Sequence, residues 1–377
     1  MASIKMMEPV AVVRCSSYEQ DMVQAALQQS IDLLGGLDSF LKPGERLMLK
    51  VSCLNDAAPE RAVTTHPSFL RAVIRLAKTR TQRIVVADSP GYISFLGACK
   101  KNGYAEVAAQ ERVELVELVA DDTWDYPQGV LYKKFPSSSL LRQVDRVWNL
   151  PKLKTHALMT LTLAVKNMFG LIPGTLKMGY HLRAGTDKML FAKILIDIFR
   201  ARPPDLNLVD GIVGMEGNGP SAGTPRPLGL VVAGADGFST DAATTRLLGV
   251  PVSRVPVLAT YQSLQKGEPL EMEIRGVSLA EALVPHFRLP AVGRGGIPDL
   301  VYRIGKRWML PRPVFLRQLC NGCKVCVEVC PAHCLNYEEG WGIRFREPDC
   351  IRCFCCQEMC PSRAIDVKKP RLSLFSK

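Results

Sequence analysis

Two short cysteine runs near the C-terminal end restrict the fold of this chain more than any other feature. The first reads Cys320-x2-Cys323-x2-Cys326-x3-Cys330-Pro331, and the second reads Cys350-x2-Cys353-x2-Cys356-x3-Cys360-Pro361. Of the thirteen cysteines in 377 residues, only Cys15, Cys53 and Cys99 precede the first run. The opening residues, Met1 to Val13, lack the long apolar run of an export signal. No apolar stretch reaches the roughly 18 residues that a membrane span requires. The chain is therefore expected in the cytoplasm, where clustered thiols read as metal ligands and not as disulfides.

The doubled C-x2-C-x2-C-x3-C-P spacing is that of a bacterial-type two-cluster ferredoxin. Three thiolates two residues apart wrap one face of a cubane. The fourth, at the start of the next helical turn, reaches across to the other cluster. On that rule Cys320, Cys323, Cys326 and Cys360 hold one [4Fe-4S] cluster, while Cys350, Cys353, Cys356 and Cys330 hold the other. Zinc knuckles also use C-x2-C pairs, but they give no reason for the third cysteine, the fourth at x3 or the proline. A short hairpin is expected over Leu335–Tyr337 and Gly342–Phe345, with a closing strand at Ala364–Val367. Cys334 and Cys355 are surplus to eight ligands and read as spare buried thiols, with Cys355, beside Cys356, also open to ligand exchange. Residues 317–377 hold ten Lys/Arg against seven Asp/Glu. That basic balance suits a module serving its own chain more than a diffusing acidic carrier.

Residues 8 to about 280 alternate short apolar runs with helical patterns. The expected strands are Val10–Val13, Leu47–Val51, Ile84–Ala87, Val113–Val119, Val144–Leu150, Leu206–Val213 and Leu228–Ala233. Helices are expected at Asp21–Leu34, Pro67–Thr79 and Ser94–Lys101. This is the pattern of an α/β fold: a mostly parallel, Rossmann-like sheet with helices on both faces, followed by a small α+β cluster-binding domain. The expected divisions are 1–285 for the α/β domain, 286–313 for a basic, proline-containing linker, 314–369 for the cysteine-rich domain and 370–377 for a tail.

Open parallel sheets bind ligands at the carboxyl ends of their strands, so the segments after each strand carry the candidate site. After Ile84–Ala87 comes Asp88-Ser89-Pro90-Gly91, which is equally well read as an ordinary helix-capping turn. After Val144–Leu150 comes Pro151-Lys152-Leu153-Lys154-Thr155-His156, with an amphipathic helix expected from there to Met168. Leu158, Leu161, Val165 and Met168 form its buried stripe. Lysines, a histidine and a helix N-terminus together favour an anion; a solvated basic loop is the plainer reading. Lys166-Asn167 and Lys177 to His181 add polar and cationic groups around it. The candidate anion-binding residues are Asp88, Ser89, Lys152, Lys154, Thr155, Asn167, Lys177 and His181. His156, Lys166, Asp210 and Glu216 are candidates for proton handling, with Asp236 as a further acid. Four glycines between Gly211 and Gly219 allow close backbone approach, although loop geometry alone explains them. Neither a Walker loop nor GxGxxG is present, so no nucleotide or flavin fingerprint is found.

In combination, Asp88-Ser89-Pro90-Gly91, Asn149 to His156, Lys166-Asn167-Met168-Phe169-Gly170, Asp210-Gly211 and Met215 to Pro220 resemble the domain of unknown function DUF362 over roughly residues 8–270. The resemblance implies the α/β fold and its pairing with a ferredoxin module, but no reaction. The layout more distantly resembles lactate-racemase-like domains, from which no residue role is carried. The net charge of +12 comes from scattered residues without interleaved aromatics, so nucleic acid is not expected. In the linker, Ile297–Leu310 suits a basic amphipathic helix docked on the main domain or, less readily, lying on a membrane surface.

The leading expectation is an iron–sulfur redox enzyme that exchanges low-potential electrons between a partner protein and a small anion. The alternatives are an electron-transfer or cluster-handling subunit whose large domain docks a partner, and a non-redox enzyme with structural or sensory clusters.

Overall fold

The structure is a computed structural model and describes residues 7–290 and 311–368. Its strands are β1 (Glu8–Arg14), β2 (Leu47–Val51), β3 (Ile84–Asp88), β4 (Glu114–Glu117), β5 (Asp122–Asp125), β6 (Lys134–Ser137), β7 (Arg146–Leu150), β8 (Lys152–His156), β9 (Thr160–Thr162), β10 (Leu206–Glu216), β11 (Thr224–Gly234), β12 (Met272–Gly276), β13 (Arg312–Phe315), β14 (Leu335–Glu338), β15 (Gly342–Phe345) and β16 (Ile365–Lys368). The α-helices are α1 (Gln20–Leu33), α2 (Pro67–Lys78), α3 (Phe95–Lys101), α4 (Tyr104–Glu111), α5 (Leu140–Gln143), α6 (Ala164–Asn167), α7 (Leu176–Ala184), α8 (Lys188–Ala201), α9 (Gly237–Leu247), α10 (Pro256–Leu264), α11 (Val325–Glu328) and α12 (Cys355–Glu358).

The main sheet runs β12-β1-β11-β10-β7-β2-β3-β4, and β8 continues from β10 into a hairpin with β9. Every pairing on the main path is parallel except the two that flank β11. Alternation along the strands divides the core in two, because successive side chains leave a strand on opposite faces. Val10, Val12, Met48, Val85 and Val147 pack on one face with Phe191, Ile194, Ala242 and Leu258. Ala11, Val13, Leu47, Leu49, Val86 and Trp148 pack on the other with Leu27, Phe69, Val73 and Tyr104. Helices therefore cover both faces, as the unbroken apolar strands require.

The segment after β7 departs from the expected helix. It turns back at Ala157–Met159 into β9, and only the four residues of α6 are helical before a 3-10 turn. The β-branched Thr155 and Thr162 favour an extended chain, and Thr160 sits at φ 68, which an α-helix excludes. The stripe Leu158, Leu161, Val165 and Met168 is nonetheless buried.

The cysteine-rich unit is built twice over. Left-handed residues recur thirty positions apart: Gly322 and Arg352, Lys324 and Phe354, His333 and Arg363. The short helices α11 and α12 keep the same offset. Left-handed non-glycine residues are costly, and here they curl the loops so that backbone N–H groups face sulfur. Arg352 N lies 3.3 Å from Cys350 Sγ and Ala364 N lies 3.2 Å from Cys360 Sγ. β14 pairs antiparallel with β15, and β16 closes the unit against β13. The expected linker helix at 297–310 lies outside the described residues. Among the described residues no helix is long and apolar enough to cross a membrane.

Candidate anion-binding pocket between the two units

At the carboxyl ends of β2, β3 and β8, four lysines surround one cavity of about 120 Å³. Lys50, the one charged residue of β2, pairs with Asp88 at the end of β3 at 2.8 Å, both almost fully buried. The Asp88 carboxylate also accepts from Cys53 N and Ser89 N, each at 2.7 Å. Lys154 Nζ donates to Val63 O and, at 3.4 Å, to Ser52 Oγ. Lys177 Nζ donates to Ser89 O at 2.6 Å and to Ile172 O. Lys166 lies 5.9 Å from the centre of the Phe169 ring. Burial pushes the amines of Lys154, Lys166 and Lys177 down, to about 7 for Lys154 and Lys177.

His156 and His181 complete the polar lining. His156 Nδ1 accepts from Leu158 N and Met159 N at 3.1 and 3.2 Å. That leaves Nε2 to carry the proton of the neutral ring, 2.8 Å from Glu358 Oε1 but out of line for a well-formed hydrogen bond. Burial pushes His156 down to about 4 and His181 to about 3, so both rings are neutral near pH 7. Burial opposes ionisation of Glu358, yet His156 and Lys166 hold its carboxyl below the ordinary value.

Glu358 belongs to the cysteine-rich unit. Helix α12 and its neighbours, through Cys355, Glu358, Met359 and Val329, form one wall of the pocket. The docking contacts come from the glycine-rich loop after β10. Gln357 Nε2 donates to Asn218 O at 2.9 Å, Ser221 Oγ to Gln357 O at 3.1 Å, and Asn218 Nδ2 to Asp366 Oδ1 at 2.8 Å. Tyr92 reaches Glu328 on the corresponding helix of the first half.

Behind this wall the thiols fall into two sets. Cys320, Cys323, Cys326 and Cys360 line a cavity of about 240 Å³. Cys330, Cys350, Cys353 and Cys356 line a second, tighter one together with Cys334, whose Sγ is 3.5 Å from that of Cys330. All thirteen cysteines are free thiols. Among the described residues no three His, Cys, Asp or Glu side chains converge closely enough for a single metal ion. Cys355 faces the anion pocket, and it packs with Cys353 and Met359.

The family model for the domain of unknown function DUF362 matches residues 47–246. The chain belongs to the DUF362 family. A thylakoid-associated protein of Synechocystis sp. is 33% identical, over 80% of this chain and 97% of that protein. The lactate racemase apoprotein of Thermoanaerobacterium thermosaccharolyticum is similar at 12% identity and a TM-score of 0.38, covering 59% of this chain and 54% of that one. A Thermotoga maritima protein is similar at 14% identity and a TM-score of 0.34, covering 66% and 59%. This chain thus spans little more than half of either structure, and neither likeness carries an argument about function. Every pocket residue from Lys50 to Pro220 lies inside the matched DUF362 region, whereas the α12 wall lies outside it.

Of the residues proposed from sequence, Asp88, Ser89, Lys154, His156, Lys166, Asn167, Lys177 and His181 line this pocket. Four do not. Lys152 is taken by Asp210 at 2.8 Å and by Tyr18 Oη at 2.6 Å. Asp210 also accepts from Tyr18 Oη at 2.7 Å and His66 N at 2.9 Å, and it has no exposed surface. Thr155 Oγ1 accepts from Gly219 N in the docking loop. Burial pushes the Glu216 carboxyl up, but Arg226 and Arg288 outweigh it and hold it below the ordinary value.

Two further acids cap backbone. Asp236 caps α9, and Asp241 accepts from Ala164 N and Val165 N at the start of α6. The helix N-terminus expected just after His156 to favour an anion is absent, since that stretch is turn and strand, and the N-terminus of α6 is taken by the Asp241 carboxylate. Sequence reasoning missed Lys50, Cys53 and Glu358. A lone lysine inside the strand Leu47–Val51 was a readable signal, since an unpaired charge is not buried there without cost.

Proposed function

We propose that this DUF362 protein is an iron–sulfur oxidoreductase that exchanges single low-potential electrons with a small anion held between its two units. Cys320, Cys323, Cys326 and Cys360 would hold one [4Fe-4S] cluster; Cys330, Cys350, Cys353 and Cys356 would hold the other. The four-and-four division of thiols between two cavities fits that assignment, as do the left-handed loops that turn N–H groups toward sulfur. Such clusters supply one-electron reducing or oxidising equivalents. Clustered cysteines assigned as cluster ligands suit a reducing compartment, which we take to be the cytoplasm.

The observation that carries the reading is the composition of the pocket wall. Lysines from the α/β unit and helix α12 from the cysteine-rich unit face the same cavity. The lysines attract and orient an anion, and the neighbouring apolar side chains exclude water from it. His156 holds a proton on Nε2, because backbone N–H groups occupy Nδ1. That proton is available to an anion gaining electrons, and Glu358 stabilises the ring as it exchanges. A subunit that only docks a partner has no need of four lysines around a cavity, two of them buried and two half-buried.

The test is anaerobic. The reconstituted protein is reduced chemically, and the visible bleaching of its clusters is followed while fractions of host metabolites are added. One fraction is expected to speed reoxidation, and His156→Ala is expected to slow that response by roughly a hundredfold. Clusters that form fully and respond to no fraction would instead mark an electron-transfer or cluster-handling subunit.

A further inference from the structure

The charge inventory of the pocket goes further than its sign. Lys50, Lys154, Lys166 and Lys177 bring four ammoniums, and Asp88 and Glu358 bring two carboxylates. The two histidines are neutral. Only Lys50 lies within ion-pair distance of a carboxylate, Asp88 at 2.8 Å; among the described residues Lys154, Lys166 and Lys177 form no ion pair. Glu358 lies against the neutral His156, 2.8 Å from its Nε2, and is within ion-pair distance of none of these lysines.

The hydrogen-bond inventory agrees. An ammonium has three donors. Lys50 uses two, on Asp88 and Val51 O; Lys154 uses two, on Ser52 and Val63; Lys177 uses two, on Ser89 and Ile172. Each therefore keeps one, and Lys166 has no hydrogen-bond partner among the described residues, only the Phe169 ring. Between the ammoniums the walls are apolar, with Leu54, Phe169, Met178 and Met359. At about 120 Å³, the cavity is well below the roughly 300 Å³ at which pockets for drug-sized ligands begin.

We infer that the ligand of this pocket is a small organic dianion, a compact dicarboxylate or phosphomonoester, whose two charged ends take the free donors of the three lysines that no carboxylate pairs. This rests on the anion pocket of the proposed function and adds the charge and size of its occupant. Lys166 is the residue most committed to it, since burial opposes its charge, Glu358 offsets that only in part, and its ammonium has no hydrogen-bond acceptor among the described residues.

The test is calorimetric titration of the full, anaerobically reconstituted chain with succinate, glycerol phosphate and acetate. At least one of the two dianions is expected to bind roughly tenfold or more tighter than acetate, and the stronger arm identifies the anionic group. Lys166→Met is expected to lose roughly tenfold of that affinity without lowering the melting temperature of the ligand-free protein, because the Lys166 ammonium makes no hydrogen bond to the rest of the described chain. A residue with a merely structural role would lower the melting temperature instead. Acetate binding as tightly as both dianions would overturn the dianion assignment and leave the anion pocket standing. Unchanged affinity in Lys166→Met would overturn it too. Failure of all three probes to bind would overturn both readings.

Discussion

A lysine inside a protein costs stability unless something balances its charge, and of the four around this pocket Lys50 and Lys154 are buried and Lys166 and Lys177 half-buried. Lys50 is balanced by Asp88, and no comparable partner meets Lys154 or Lys177, whose amines burial pushes down to about 7. An unfolded lysine stays protonated to about 10.4. Between about pH 7 and 10 the unfolded chain therefore binds more protons than the folded one, and these two residues make the ligand-free protein more stable as pH rises. Thermal melts across that window are expected to flatten in the double variant Lys154→Met, Lys177→Met. Anion binding runs the other way. An anion favours the ammonium, so affinity is greatest below pH 7 and falls as pH rises, by at most about tenfold per unit per lysine. Titration at pH 6 and 8 checks the sign.

Gly170 makes a separate residue-scale case. A Cβ there would lie 2.5 Å from both Asp88 Oδ1 and Lys50 Nζ. Gly170→Ala is expected to part that pair, cost about 1–3 kcal/mol in a denaturation curve and weaken anion binding. The residues found by sequence were those on segments that interrupt an apolar strand with several polar groups at once, such as Lys154 and His156. Lys152 belongs to the same run, yet Asp210 captures it; which of two neighbouring lysines a distant aspartate will take is not written locally.

At the scale of elements, the strands were legible because short, mostly apolar runs, such as the four consecutive apolar residues of β3, leave few alternatives. The stretch 157–168 was not. Its buried stripe has helical spacing, but the hairpin buries the same side chains and Thr155 and Thr162 favour it. The glycine-rich segment after β10 was legible as a special loop but not as a dock. Its partners, Gln357 and Asp366, lie more than a hundred residues away. The Gln357 side chain is buried against Asn218. Gln357→Ala is expected to loosen the attachment of α12, at a cost of about 0.5–1.5 kcal/mol for the lost hydrogen bond. Hydrogen exchange would show this as faster exchange in 355–360 than in β2 or β3; uniform protection would mean that the loop is not what holds the units together.

At the scale of the molecule, the two units complete a cavity that neither closes alone. The α/β unit brings the positive charge, and the cysteine-rich unit brings Glu358 and a wall of thiol and thioether groups. The presence of both units was readable from two cysteine runs following an alternating α/β pattern. Their mutual placement was not, because it depends on loop-to-helix contacts such as Ser221 to Gln357 that no periodicity encodes. The account depends first on the eight thiols holding iron in two sets. The direct measurement is iron, acid-labile sulfide and zinc content of the anaerobically reconstituted chain, alongside Cys323→Ser and Cys353→Ser. The expected result is about eight iron and eight sulfide per chain, with each variant losing about half. Zinc bound in place of iron, or full iron retained in both variants, would contradict it.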